Sequence, residues 1–309
     1  MKLAFVYAGQ GSQKVAMGQD LYNEFPTYRK YFDYIDEDLK TMCFEGPIEK
    51  LSDTRNTQPI MVAFAIALTE VLKEKGIVPE MVAGLSLGEY SALYTAGFFG
   101  AKQAIDFVQF RGNEMAKATV GISSKMVAII NLDREKIQKC CDEASSYGIV
   151  QIANYNCPGQ IVIGGEITAV DRAVELALEA GARKCIPLAV SGPFHTAFMK
   201  PAGDALFKKL SQETFGELKI PVVFNCTALT LGKDETVANL LERQVQQSVK
   251  FEDSIRFMES EGIDTIVEIG PGKVLSGFIK KISKEIKILN VEDVASLNNV
   301  VEILKGELV

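Results

Sequence analysis

Histidine is nearly absent from this 309-residue chain, in which His195 is the only one. That scarcity excludes any two-histidine metal motif, and a mechanism that needs an imidazole has to use this residue. The six cysteines, Cys43, Cys140, Cys141, Cys157, Cys185 and Cys226, form no C-x-x-C pair, so neither a zinc site nor a dithiol motif is indicated. There is no basic excess either. Lys and Arg total 33 against 40 Asp and Glu, a net charge of −7, which argues against nucleic acid as the main partner. No apolar run reaches the ~18–20 residues needed to span a bilayer. The opening MKLAFVYAGQGSQ lacks the longer apolar stretch of a signal peptide. A cytoplasmic protein with reduced thiols and no membrane association is expected. Repeats and low-complexity segments are also missing.

What is present reads as an α/β fold. Hydrophobic residues make up 47% and charged residues 24%, ordinary for a globular chain long enough to bury a large core and carry a smaller insert. Short apolar runs alternate with helix-period segments. Leu3–Tyr7 and Met81–Gly84 are expected strands, with helices over 58–75, 88–96 and 102–117. The middle changes character. Strands at 125–131, 150–154, 160–165 and 182–189 surround helices at 133–144 and 167–180, the β-α-β-β-α-β order of a ferredoxin-like unit. Residues 123–190 are therefore expected to form a subdomain inserted between 1–122 and 191–309. Beyond it, helices at 203–210 and 236–246 and strands at 222–225, 263–269 and 287–290 complete the larger part.

The strongest local signal is Gly84-Leu85-Ser86-Leu87-Gly88, a G-x-S-x-G that follows a strand and opens a helix. In that context the serine sits on a sharp turn, its hydroxyl raised near a helix N-terminus, as a nucleophile requires. A serine hydroxyl needs a base, and His195, in the loop Val190-Ser191-Gly192-Pro193-Phe194-His195, is the sole candidate. No acidic residue near His195 presents itself as the third member, which leaves a backbone carbonyl to orient the ring. This departs from an esterase triad and favours a transferase relative of the hydrolases. The loop Ala8-Gly9-Gln10-Gly11-Ser12-Gln13 lacks the Lys of a P-loop and the third Gly of a dinucleotide fingerprint. It is suited instead to aim the Gln10 N–H, with that of Leu87, at an oxyanion. Arg111 lies in an apolar helical stretch, and from that segment alone it reads as an ordinary helix-surface arginine.

Taken in order, AGQGSQ (8–13), TQP (57–59), GLSLGEY (84–90), QFRGNEM (109–115), NYNCPGQIVIGG (154–165), GPFH (192–195), RQVQQSVKF (243–251) and EIGPGKVLSGFIK (268–280) give the chain a strong resemblance to the malonyl-CoA:acyl carrier protein transacylases of type II fatty acid synthesis. The resemblance runs from Leu3 to about Asn290. It implies an α/β-hydrolase-like domain with a mostly parallel sheet, a Ser86–His195 dyad, and an oxyanion hole from the Gln10 and Leu87 amides. It further implies that the Gln244 carbonyl holds His195, that Arg111 clamps the malonyl carboxylate, and that Phe194 leaves little room for an α-methyl branch. Malonyl-CoA and acyl carrier protein are the implied partners, with no metal or bound cofactor, and a monomer is expected. Three positions depart from the family: Ala8 for the usual Pro, Leu85 for the common His, and Phe251 for a frequent Trp. None touches the dyad. A thioesterase, a broader polyketide acyltransferase and a non-catalytic carrier-binding scaffold are the rival readings. Lys273, Lys280, Lys281, Lys284 and Lys287 form either a carrier-docking patch or a solvated face.

Overall fold

The computed structural model describes residues 1–307. Strand β1 (Leu3–Tyr7) leads into four short helices, α1 (Gln19–Glu24), α2 (Pro26–Phe32), α3 (Glu37–Glu45) and α4 (Ile48–Leu51), and then the long α5 (Thr54–Glu74). Strand β2 (Met81–Gly84), α6 (Gly88–Thr95) and α7 (Ala101–Ala118) follow. A second group comprises β3 (Ser124–Ile130), α8 (Arg134–Ala144), β4 (Val150–Cys157), β5 (Gln160–Glu166), α9 (Ile167–Glu179) and β6 (Lys184–Pro187). The chain closes with α10 (Lys200–Leu210), β7 (Val222–Val223), α11 (Val237–Gln246), α12 (Phe251–Ser260), β8 (Thr265–Ile269), α13 (Val274–Ile282), β9 (Lys287–Val291) and α14 (Val294–Glu307).

Every residue of β1, β2 and β8 is buried, as strands covered on both faces must be. They lie in a five-stranded parallel sheet of order β7-β2-β1-β8-β9. Because all five run the same way, the loops after β1, β2, β7 and β8 leave from one edge, the place where open α/β sheets bind ligands. The second sheet is antiparallel, in the order β4-β5-β3-β6, with α8 and α9 sharing its core. This is the ferredoxin-like arrangement expected from the order of elements. Among the described residues, no helix is long and apolar enough to cross a membrane.

The structure departs from expectation at several element ends, and local hydrogen bonding explains two of them. Helix α5 begins at Thr54, a turn before the expected 58. Pro59 has no N–H to give the Arg55 carbonyl, but the Gln109 side chain of α7 donates to that carbonyl at 2.9 Å. The strand expected over 182–189 shortens to β6, and Leu188–Val190 pass into a loop. The strand expected over 222–225 stops at Val223, because the Phe224 N–H turns to the Leu229 carbonyl. Helices α1 to α4, α12 and α14 had no counterpart in the sequence reading. The first four are six, seven, nine and four residues long, too short to show a period.

Helix α13 is anchored from beneath by a buried carboxylate. Glu268, wholly buried in β8, accepts from the N–H groups of Leu275 at 3.0 Å and Ser276 at 2.7 Å. These are first-turn donors with no partner inside the helix. Glu268→Ala orphans both, at about 1–3 kcal/mol each, and is expected to cost roughly 2–6 kcal/mol in urea unfolding. Glu268→Gln, which keeps one acceptor, should cost about half as much. Equal stability for Glu268→Ala and the parent would contradict this anchoring.

Candidate active site

The elbow after β2 is built by close backbone approach. A Cβ on Gly84 would lie 2.0 Å from the Gly88 carbonyl carbon, and one on Gly88 would lie 2.2 Å from the Tyr7 carbonyl oxygen. Only hydrogen fits at either position, so β2, the turn and α6 stack directly on β1. Between the two glycines Ser86 adopts φ 52°, the left-handed region that side chains other than glycine rarely enter. Its Oγ emerges at the sheet edge.

His195 Nε2 stands 2.7 Å from Ser86 Oγ. Its Nδ1 is 2.8 Å from the Gln244 carbonyl oxygen. A carbonyl only accepts, so Nδ1 carries the hydrogen and Nε2 presents its lone pair to the hydroxyl. The His195 N–H also donates to the Val245 carbonyl at 3.2 Å. Both carbonyls belong to the last turn of α11, whose C=O groups lack helical partners and carry the negative end of the helix dipole. Burial, and then the neighbouring Arg111 charge, lower the imidazole pKa to about 4. The ring is therefore a free base across the neutral range.

Arg111 is not on the surface. It is 1% exposed, which overturns the reading taken from its segment alone. Nη1 donates to Gln58 Oε1 at 2.9 Å, and Nη2 donates to Gln244 Oε1 and to Ser86 Oγ, each at 3.1 Å. The guanidinium lies 5.4 Å from the Tyr90 ring centroid, and its Nε has no partner among the described residues. No carboxylate lies within ion-pair distance of it there. Burial lowers its pKa, and Tyr90 and Glu89 partly offset this. A buried cation held only by neutral amides and hydroxyls, and pointed at a serine hydroxyl, is a site for an anion.

Gln10 and Leu87 flank Ser86 in a cavity of about 420 Å³. Among the described residues neither main-chain N–H has an acceptor, which leaves both free for an oxyanion. Phe194, 7% exposed, closes one wall; Leu85 and, from α13, Val274, Leu275 and Phe278 form another. All seven residues singled out by the sequence converge here.

Several others converge with them that sequence reasoning missed. Thr54 Oγ1 donates to Gln10 Oε1 at 2.9 Å and accepts from Gln58 Nε2 at 2.8 Å, so Gln58 links the Gln10 loop to Arg111. The Gln244 side chain donates to the Ser86 carbonyl at 2.6 Å, in addition to its role through the main chain. Asn154 and Asn156 of β4 line the cavity, and Asn156 Oδ1 is buried without a partner among the described residues. Two amides at i and i+2 in a mostly apolar strand were the available signal. Among the described residues no group of His, Cys, Asp or Glu side chains is placed to hold a metal.

The acyl transferase domain family model matches residues 4–303. The malonyl CoA-acyl carrier protein transacylase of Bacillus subtilis is 42% identical over 311 residues, covering 99% of this chain and 98% of that protein. That of Escherichia coli K12 is 39% identical over 286 residues, covering 91% and 93%. Among solved structures, MCAT from Streptococcus pneumoniae superposes with a TM-score of 0.93 at 46% identity, covering 98% of this chain and 100% of that one. PlMCAT, a malonyl-transacylase in complex with the type II PKS acyl-carrier protein AntF, gives 0.94 at 40% identity, covering 98% and 100%.

With one histidine in the chain, its ring contributes a single Hε1 NMR resonance. It is expected to titrate near pH 4 rather than near 6.5, the fully charged ring appearing only below the lowered value. Arg111→Gln removes the neighbouring cation and should move the midpoint upward. A midpoint at the ordinary imidazole value in the folded protein would contradict the buried environment described.

Proposed function

The chain belongs to the acyl transferase family, and on that premise we propose that it moves a malonyl group from malonyl-CoA to the phosphopantetheine thiol of an acyl carrier protein, through an ester on Ser86, supplying extender units for fatty acid synthesis. Its relatives at about 40% identity bear the transacylase name over nearly their whole length. The observation that carries the malonyl assignment is Arg111, a buried guanidinium without a carboxylate partner among the described residues, 3.1 Å from Ser86 Oγ. An acyl group ending in a carboxylate supplies the missing anion, and a guanidinium meets it with two parallel hydrogen bonds.

In the first half-reaction the Ser86 Oγ attacks the thioester carbonyl while its proton passes to His195 Nε2. The carbonyl oxygen becomes an oxyanion and accepts the Gln10 and Leu87 N–H groups. The C–S bond breaks, and CoA leaves as a thiol with the proton returned by His195. In the second, the carrier thiol gives its proton to His195 and its sulfur attacks the ester carbonyl. The C–Oγ bond breaks, and Ser86 recovers the proton. The α11 carbonyls at Gln244 and Val245 steady the imidazolium formed in each half, since the negative end of a helix dipole favours a cation. Phe194 fills the space an α-methyl branch would need, which favours malonyl over methylmalonyl groups.

The reading includes a monomer acting in the cytoplasm, and all six cysteines are unpaired in support of a reducing setting. It treats 123–190 as the subdomain that roofs the cleft, from which Met126, Asn154, Asn156 and Val162 reach the cavity. It also assigns Lys273, Lys280, Lys281 and Lys284, all exposed, and the half-buried Lys287, on and beside α13, to docking an acidic carrier protein. Charge reversal at Lys280 and Lys281 should raise the KM for carrier protein while leaving that for malonyl-CoA unchanged. Unchanged affinity for the carrier would remove the patch from docking.

Intact mass spectrometry after brief incubation with malonyl-CoA should show a malonyl adduct on the parent and none on Ser86→Ala, discharged by added carrier protein. Free malonate accumulating without an adduct would point to a thioesterase instead. Arg111→Ala leaves the malonyl carboxylate unpaired, a loss of about 2–5 kcal/mol, and should cut malonyl transfer more than roughly tenfold while acetyl transfer falls less or rises. Equal losses for both acyl groups would remove Arg111 from the clamp.

A further inference from the structure

Ser86 holds a backbone conformation that costs a residue other than glycine about 1–3 kcal/mol, so something around it has to enforce that conformation. The enforcing contacts come from the next strand. Asn225, just past β7, accepts the Ser86 N–H on Oδ1 at 2.6 Å and donates from Nδ2 to the Gly84 carbonyl, also at 2.6 Å. One planar amide thus ties together the last residue of β2 and the nucleophile two positions on, spanning the turn as a strand partner would. Asn225 is itself pinned. Its N–H donates to Glu89 Oε2 at 2.6 Å, and its carbonyl accepts the Lys250 N–H at 2.9 Å.

Glu89 is fully buried in the first turn of α6, the helix that the elbow opens. A fully buried carboxyl group is costly and rare, and here one oxygen has a single use, to fix the Asn225 main chain. The four residues close a ring: Gly84 and Ser86 on the turn, Asn225 across it, and Glu89 behind. The ring has a second effect. It engages the Ser86 N–H and so leaves the Leu87 N–H as the elbow donor without an acceptor among the described residues.

We propose that Asn225, anchored by Glu89, is the positioning residue that holds Ser86 in its reactive conformation, a role that rests on the proposed function only in taking Ser86 as the nucleophile. Asn225 touches neither the acyl group nor Arg111 in this scheme. Its removal should therefore change the rate of Ser86 attack and leave substrate affinity alone.

The test uses a fluorophosphonate probe, which reports the nucleophile without needing the clamp. The Ser86 Oγ–P bond forms, the P–F bond breaks, fluoride leaves, and the hydroxyl proton passes to His195. Asn225→Ala is expected to slow both probe labelling and malonyl-CoA acylation by about 10–100-fold, the cost of a misplaced reacting group, with KM for malonyl-CoA within about twofold of the parent. Glu89→Gln, which keeps an oxygen for the Asn225 N–H, should label within about threefold of the parent, and Glu89→Leu about tenfold more slowly. Should Asn225→Ala fail to fold, the Glu89 pair carries the test. Parent-like labelling by Asn225→Ala, a loss appearing only as raised KM, or equal rates for the two Glu89 variants would overturn the proposal. If the parent labels at Ser86, the variants slow as expected and malonyl-CoA acylates none of them, the positioning role stands and the malonyl reading falls.

Discussion

The charge on Arg111 is the constraint around which the site is arranged. A guanidinium taken out of water without an anion is expensive unless its donors are satisfied, and the chain meets the Nη donors with neutral groups alone and leaves Nε without a partner among the described residues. Gln58, Gln244 and the Ser86 hydroxyl take its Nη hydrogens, and the Tyr90 ring lies nearby. Each of these acceptors has a second attachment. Gln58 leads through Thr54 to the Gln10 loop, Gln244 donates to the Ser86 carbonyl, and Ser86 is bonded to His195. The same buried charge therefore ties Arg111, the loop carrying one free amide, the elbow and His195 into one connected network. Such a network is specific because an unmatched member is costly at every node.

The parallel sheet makes this convergence possible. Residues from β1, β2, β7 and β8 are far apart in sequence, yet their following loops leave from one edge. Gln10 follows β1, Ser86 follows β2, Asn225 follows β7, and α13 follows β8. The antiparallel unit contributes from the other side, through Met126, Asn154, Asn156 and Val162. Its last strand runs into the loop that presents His195.

The legibility of the sequence followed the length scale of each signal. Leu3–Tyr7 and Met81–Gly84 were readable to the residue because fully buried parallel strands are unbroken apolar runs. Gly84 and Gly88 were readable because their lack of side chains is a local requirement. His195 stood out through scarcity. By contrast, Arg111 read as a surface residue, since nothing in its helix reveals that Gln58, from a helix more than 50 positions earlier, and Gln244, more than 130 positions later, enclose it. Asn225 and Glu89 were silent for the same reason. Their partners lie over 130 residues away along the chain and carry no period or spacing. The four short helices before α5 were lost because a helix of nine residues or fewer shows too little amphipathic pattern to detect.

The absence of an acidic third member beside His195 follows from the charge on the other side of the ring. A carboxylate behind the imidazole would raise its pKa and give Arg111 a nearby anion of its own. Both effects would weaken a site built to receive an acyl group that ends in a carboxylate. The carbonyls of the α11 C-terminus fix the tautomer and favour the transient imidazolium with only partial negative charge. Arg111 then keeps its unspent charge, the imidazole stays a free base at neutral pH, and among the described residues no carboxylate lines the cavity to repel an incoming anion. On this view the departure from a hydrolase triad and the proposed malonyl clamp are two consequences of one electrostatic requirement, and a glutamate or aspartate introduced behind His195 would work against the proposed clamp as much as it helped the proposed base.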